Sequence, residues 1–213
     1  MLFETSAPEL SITCIDGTDP AIRELQALRY QVYCLEREFL SPTRFPDRRE
    51  RDDYDAFAQH FAAHEEGYLV GTVRAVPDSP LGFPIERFIP PGSIERFGLP
   101  RDRTCEISRL VLRPDHRRST TAHGARLLLM LFRAVDLETA NAGIDRYIAA
   151  LEPPFVRLLH RFGFVLTRIG PAVDWFGEVL PCAVTAMPRN LRAIDQPRAR
   201  GTTPIGARRL ALV

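Results

Sequence analysis

TCEISRLVL, Thr104 to Leu112, has the composition of a buried β-strand, yet it carries two charges that do not suit one. Ile107 and Val111 are β-branched, and turn signals flank the stretch at Pro100–Asp102 and Pro114–Asp115. In an unbroken strand, side chains alternate between faces with period two. Glu106 then points with Ser108 and Leu110, and Arg109 with Ile107 and Val111. The two charges do not meet, and one of them enters a core. What surrounds this strand decides how the conflict is read.

The chain has 213 residues, 45% hydrophobic and 26% charged, which excludes a disordered or fibrous protein. The length fits one large domain with a sizeable core, with or without an extension. A formal net charge of +1 gives no field that would favour nucleic acid or a membrane surface. Every basic side chain is arginine, which excludes a catalytic lysine, a Schiff base and a phosphate-loop lysine. Cys14, Cys34, Cys105 and Cys182 match no metal or redox spacing, and the five histidines show no triad or ligand spacing. No metal is expected, and the cysteines are expected as reduced packing residues of a cytoplasmic protein. The N-terminus shows no basic segment followed by an apolar one, and Leu127–Phe132 is too short to span a bilayer.

Leu10–Ile15 reads as a first strand. DPAIRELQALRYQVYCLEREF, residues 19–39, reads as a helix capped by Asp19, with Ile22, Leu25, Leu28, Val32 and Leu35 at helical spacing. After a polar, proline-punctuated loop, Phe57–Ala63 and Tyr68–Val76 read as a hairpin around HEEG. Residues 77–103 form a long loop with Phe83, Phe88 and Phe97. The quoted strand follows, then a helix over 122–142, a strand over 147–151, a helix over 153–162, and strands over 164–169, 173–176 and 181–186. This is an α/β alternation without the glycine fingerprint of a nucleotide-binding fold. The expected organisation is one domain over 1–187 and a C-terminal extension or arm over 188–213.

Within this order lies a spaced set of charges. RYQVY places Arg29 before Tyr33, ERDDYD places Asp52 and Asp55 three apart, VGTVR ends on Arg74, and EISRL supplies Glu106 and Arg109. The set resembles the autoinducer synthases, which make acyl-homoserine lactones. With YCLEREFL, FPDRRERDDYDAFAQHF and LEPPFVRLLHRFGFVLTRIGPAVDWFGEVLPCAV, the chain resembles more closely the N-acyl amino acid synthases and the acyltransferases of the PEP-CTERM/exosortase system. The resemblance spans residues 22 to 184. Phe39 stands where autoinducer synthases often carry a tryptophan.

The resemblance implies a GCN5-related N-acyltransferase fold: a mixed, mostly antiparallel twisted sheet, helices on both faces, and a bulged central strand. A bulge shifts side-chain parity and would let Glu106 and Arg109 share a face. It implies no permanently bound cofactor and an acyl thioester donor, on acyl carrier protein or coenzyme A. The acceptor implied is an amino-acid amine. Glu106, Ser108 and Arg109 are the implied catalytic group, with Glu106 taking the amine proton or orienting the amine. A structural Glu106–Arg109 ion pair is the alternative. Arg29, Tyr33, Asp52, Asp55, Arg74 and Phe83 are implied for substrate binding. Arg29, Arg74 and Arg109 balance Asp52, Asp55 and Glu106, so the six also suit a purely structural cluster. Arg74 and Arg109 are the stronger candidates for substrate contact. Leu110, Val111 and Leu112 would pair with the donor's pantetheine arm. Arg117, Arg118, Thr121 and Gly124 would meet its phosphate or an acidic carrier protein. Phe83, Phe88, Phe97 and Leu127–Leu131 together could line an acyl tunnel, although each taken singly reads first as plain core or loop packing.

Overall fold

A computed structural model describes residues 9–117, 122–175, 177–188 and 191. The chain runs β1 (Leu10–Asp16), α1 (Ile22–Tyr30), β2 (Gln59–Glu65), β3 (Tyr68–Pro77), α2 (Ser93–Arg96), β4 (Thr104–Leu112), α3 (Ala122–Asn141), β5 (Arg146–Leu151), α4 (Pro153–Arg161), β6 (Val165–Arg168), β7 (Val173–Asp174) and β8 (Glu178–Ala186). The main path of the sheet runs β1-β2-β3-β4-β5-β8-β6, with β7 paired to β8. Among the described residues only β4 and β5 pair in parallel. This is the mixed, mostly antiparallel α/β sheet expected from the sequence.

The hairpin forms where HEEG placed it. Glu66 and Gly67 both have positive φ, at 51° and 85°, which matches the twist of the flanking strands. The first helix starts at Ile22, later than the expected Asp19 cap; its N-cap is Ala21, with no side-chain capping bond, and Asp19 accepts the Ala21 N–H at 2.8 Å in the turn before it. The helical register then widens: α1 continues as a π-helical turn over Gln31–Glu36, so residues 19–39 are not one regular helix.

Alternating side chains of β2 separate the two faces. Phe61 and Ala63 pack with α3, through Leu127, Met130, Leu131 and Val135. Ala62 packs with α1, through Leu25, Leu28 and Val32. α4 joins α3 on its face through Leu158 and Leu159 beside Leu128 and Phe132. The loop before β4 covers the other face beyond α1, burying Phe83, Ile85, Ile94 and Leu99 against Ile148 and Ala183. Leu191 is also buried, against the α3–α4 cluster; most of the expected C-terminal extension lies outside the described residues.

Candidate active site

β4 resolves the conflict in its own sequence by repeating a face. Ser108 pairs with Arg74 and Val111 with Thr72, so Arg109 and Leu110 together stand opposite Val73. That is a bulge with one extra residue on β4, and Arg109 takes a left-handed backbone with φ 52°. Cys105, Ile107, Leu110 and Leu112 pack toward α3. Val111 packs toward α1, and Arg109 joins Glu106 and Ser108 on that side. Without the extra residue Arg109 would enter the apolar α3 face.

The second irregularity is a splay. β4 and β5 pair only at Thr104–Arg146, Cys105–Tyr147 and Glu106–Ile148, and then diverge. Between them opens a cavity of about 420 Å³ that passes through the sheet. Leu128, Phe132, Leu158 and Phe164 line its apolar end on the α3–α4 face. Glu106, Ser108, Arg109, Tyr33, Phe39 and Pro84 line it toward α1. Gly71 of β3, paired with Leu112, lets the two strands close up beside it: a Cβ there would lie 2.5 Å from Leu112 Cδ2.

Behind Arg109 lies a buried charge cluster. Arg29 reaches Glu50 Oε2 at 2.6 Å and Asp55 Oδ2 at 2.7 Å. Arg74 donates to Asp52, to Asp55 Oδ1 at 2.6 Å and to Ser108 Oγ at 3.1 Å. Arg109 donates to Glu50 Oε1 at 3.1 Å and Asp52 Oδ2 at 2.8 Å. Asp52 and Asp55 face one way because Asp53–Phe57 is a 3₁₀ turn capped by Asp52, in which positions three apart eclipse. Three guanidiniums meet three carboxylates, but the third carboxylate is Glu50 rather than Glu106. That corrects the balance drawn from the sequence. Glu50 stands in the quoted segment, and nothing in its polar, proline-flanked surroundings marked it for burial. Burial opposes ionisation of Asp55, but Arg29 and then Arg74 outweigh it and hold its carboxyl well below the usual range.

Glu106 is therefore surplus to the cluster. Among the described residues it forms no ion pair with Arg109. Its Oε2 accepts the Ile85 N–H at 2.6 Å. Burial pushes its carboxyl up to about 8, against the Ile85 N–H, Arg74 and Arg109, which pull it down. A carboxylate of that pKa at the wall of a cavity suits proton transfer near neutral pH. Tyr33 donates to the Leu110 carbonyl at 3.3 Å, and Arg109 lies 5.8 Å from the centre of its ring. Burial raises the Tyr33 hydroxyl pKa.

The fold thus sorts the residues singled out in the sequence. Glu106, Ser108, Arg109, Tyr33, Leu110, Val111, Leu112, Arg117 and Gly124 all line the cavity. Arg29, Asp52, Asp55 and Arg74 form the layer behind it. Arg74 is fully buried and does not reach the cavity wall, so of the two strand arginines only Arg109 is placed to touch a substrate. Phe83 is not at the cavity. It is fully buried under Arg101, because the loop before β4 needs its own core. Phe88 packs on Trp175, and Phe97 is half exposed. The phenylalanines that line it are instead Phe39, Phe132, Phe155 and Phe164, beside Tyr33, Tyr147 and Trp175, and Leu128 is the cavity residue of the Leu127–Leu131 run. Arg118, Ser119, Thr120 and Thr121 lie outside the described residues. Cys34, Cys105 and Cys182 are buried, as packing residues should be.

Residues 28–126 match the family model of an acetyltransferase (GNAT) domain. No curated protein matches the chain. Among solved structures it is similar to BjaI, a CoA-dependent acyl-homoserine lactone synthase solved with SAM and isopentyl-CoA. The identity is 25% over 87% of each chain, with a TM-score of 0.68. It shares its fold with the AHL synthase LasI, at 18% identity over 92% of this chain and 100% of that one, with a TM-score of 0.66. It shares it also with FeeM, an N-acyl amino acid synthase from uncultured soil microbes. There the identity is 15% over 83% and 90% of the two chains, with a TM-score of 0.60. The matched residues look like a GNAT acetyltransferase domain, and the fold is similar to that of the acyl-homoserine lactone and N-acyl amino acid synthases.

Proposed function

We propose that the protein moves a fatty acyl group from a thioester to the amine of an amino acid, giving an N-acyl amino acid. The observation that carries this reading is Glu106: a buried carboxyl pushed up to about 8, at the polar side of an otherwise apolar slot between splayed strands. The acyl chain lies toward Leu128, Phe132 and Phe164, where each buried CH₂ contributes about 0.8 kcal/mol. The pantetheine arm runs along Leu110–Leu112. Arg117 and Gly124 stand at the donor's end, where an acidic carrier protein or coenzyme A arrives.

The amine nitrogen attacks the thioester carbonyl. A C–N bond forms, the C–S bond breaks, and the thiolate leaves. Glu106 accepts the amine proton directly or through one water, and that proton returns to the departing sulfur. A backbone N–H beside the bulge meets the developing oxyanion. Arg109 holds the acceptor's carboxylate, since its guanidinium is the cluster cation that reaches the cavity. No step requires a metal or a resident cofactor, and the reading places the reaction in the cytoplasm.

Incubation with long-chain acyl carrier protein and mixed amino acids, read by mass spectrometry, tests the proposal. N-acyl amino acids that vanish in Glu106→Gln support it; acyl-donor binding without turnover, under any donor and acceptor, overturns it. The likeness to BjaI favours a second reading, lactone formation. An acyl-homoserine lactone made from SAM, with no product from free amino acids, would replace the first reading by the second.

A further inference from the structure

Far apart in sequence, Glu65, His116 and His123 meet at one end of strand β2. Glu65 ends β2, His116 closes the short helical turn Pro114–His116 after β4, and His123 lies in the first turn of α3. Nε2 of His116 is 2.8 Å from Glu65 Oε2, and Nε2 of His123 is 3.0 Å from Glu65 Oε1. One donor atom from each residue falls within 4.8 Å of the others. Glu65 Oε1 is buried and makes no hydrogen bond despite its distance to His123, and His116 Nδ1 is buried without a partner as well. Among the described residues Glu65 has no arginine partner, although arginine supplies the ion pairs of the neighbouring active-site cluster.

We propose that Glu65, His116 and His123 form a binding site for a divalent transition-metal ion of the zinc type. Two imidazole nitrogens and one carboxylate oxygen are a ligand set that zinc takes, with a fourth position left for water. The donor atoms stand slightly closer together than around a bound ion, where each lies about 2.0–2.2 Å from the metal. Small side-chain rotations open the space, because His123 is partly exposed. The sequence spacing offers no metal motif, since the ligands come from three elements. The site is separate from the reaction centre and acts as a clip. Its two histidines flank residues 118–121, and their neighbours Arg117 and Gly124 line the donor end of the cavity. Metal binding would tie the turn Pro114–His116 and the start of α3 to β2 and stabilise the folded chain.

The test uses chelator-treated, tag-free full-length protein. Zn²⁺ is titrated calorimetrically, and Co²⁺ by its visible d–d absorption. One equivalent of each is expected to bind, and Zn²⁺ is expected to raise the melting temperature. His116→Ala and His123→Ala should each weaken binding at least about tenfold, since losing a ligand costs no less than losing a residue that supports one. Glu65→Gln, nearly isosteric, should do the same while keeping the wild-type circular dichroism. His160→Ala and Cys14→Ser should bind as wild type does. Absence of saturable binding, or binding unchanged in the His116→Ala/His123→Ala double variant, overturns the proposal. Binding lost in Cys14→Ser but kept in His123→Ala overturns it too.

Discussion

Asp55, in the layer behind the cavity, and Glu106, at its wall, are both buried and behave in opposite ways. Both are removed from water, and burial alone would push both carboxyls up. Asp55 has Arg29 and Arg74 in direct contact, so its charge is secured. Glu106 has only the Ile85 N–H in contact and the arginines at a remove, so burial wins. The difference separates charges that hold the fold from a charge free to change. Burial of a carboxyl says nothing about its role until its partners are counted.

The largest effect expected is on turnover. Glu106→Gln should lower kcat/KM by about 10²–10⁴, the range for loss of a general base, with little loss of stability because no ion pair is broken. Wild-type activity should rise with pH through about 8 as Glu106 ionises, and the Gln variant should lose that limb. Stability runs the other way. Between the ordinary carboxylate value and about 8 the folded chain holds a Glu106 proton that the unfolded chain has lost, so stability falls as pH rises through that window. Urea unfolding of wild type and Glu106→Gln across the window checks this; the same pH dependence of stability in both would refute the raised pKa of Glu106.

Arg29→Met breaks the other side of the comparison. It leaves Glu50 and Asp55 short of a partner, and should cost about 3–5 kcal/mol by denaturant unfolding. Asp55 stability has the opposite sign to that of Glu106: present at neutral pH and lost as pH falls below the ordinary carboxylate range. Gly71→Ala sharpens the comparison without touching a charge. Its Cβ meets Leu112 and the Val111 carbonyl, so the bulged region must shift, at a cost of about 1–3 kcal/mol. The smallest effect is expected at the mouth of the cavity, where Arg37 pairs with Glu152 at 2.7 Å while both stay more than two-fifths exposed. Arg37→Ala should change stability by no more than about 1 kcal/mol.

Much of the fold was legible because periodicity is local. The hairpin at HEEG, the helix from residue 122 and the strand from Leu10 follow from spacing and turn chemistry alone. The π-helical turn after Tyr30 was not, since it keeps the helical apolar pattern while changing the backbone path. The site was legible where charges sat in apolar strands: Arg74, Glu106 and Arg109 contradict their surroundings. Glu50 was not, because a carboxylate in a polar loop contradicts nothing. Phe83 misled for the complementary reason, since an aromatic in a long loop fits a tunnel wall and a small core equally well. The facing atoms of Glu65, His116 and His123 meet only where β2, the turn after β4 and α3 pack together, which no spacing rule reports.

The bulge also makes the length of β4 a functional quantity. Its side chains are exchangeable in principle; its residue count is not. Removing Leu110 would leave every flanking pair of β3 and β4 in register, yet would turn Arg109 into the apolar layer beside Val73. A single-codon deletion that spares the ladder would take Arg109 from the cavity and from Glu50 and Asp52 together. In an engineering campaign, substitutions along this strand are negotiable one at a time, whereas an insertion or deletion at residues 109–110 erases the site in one step.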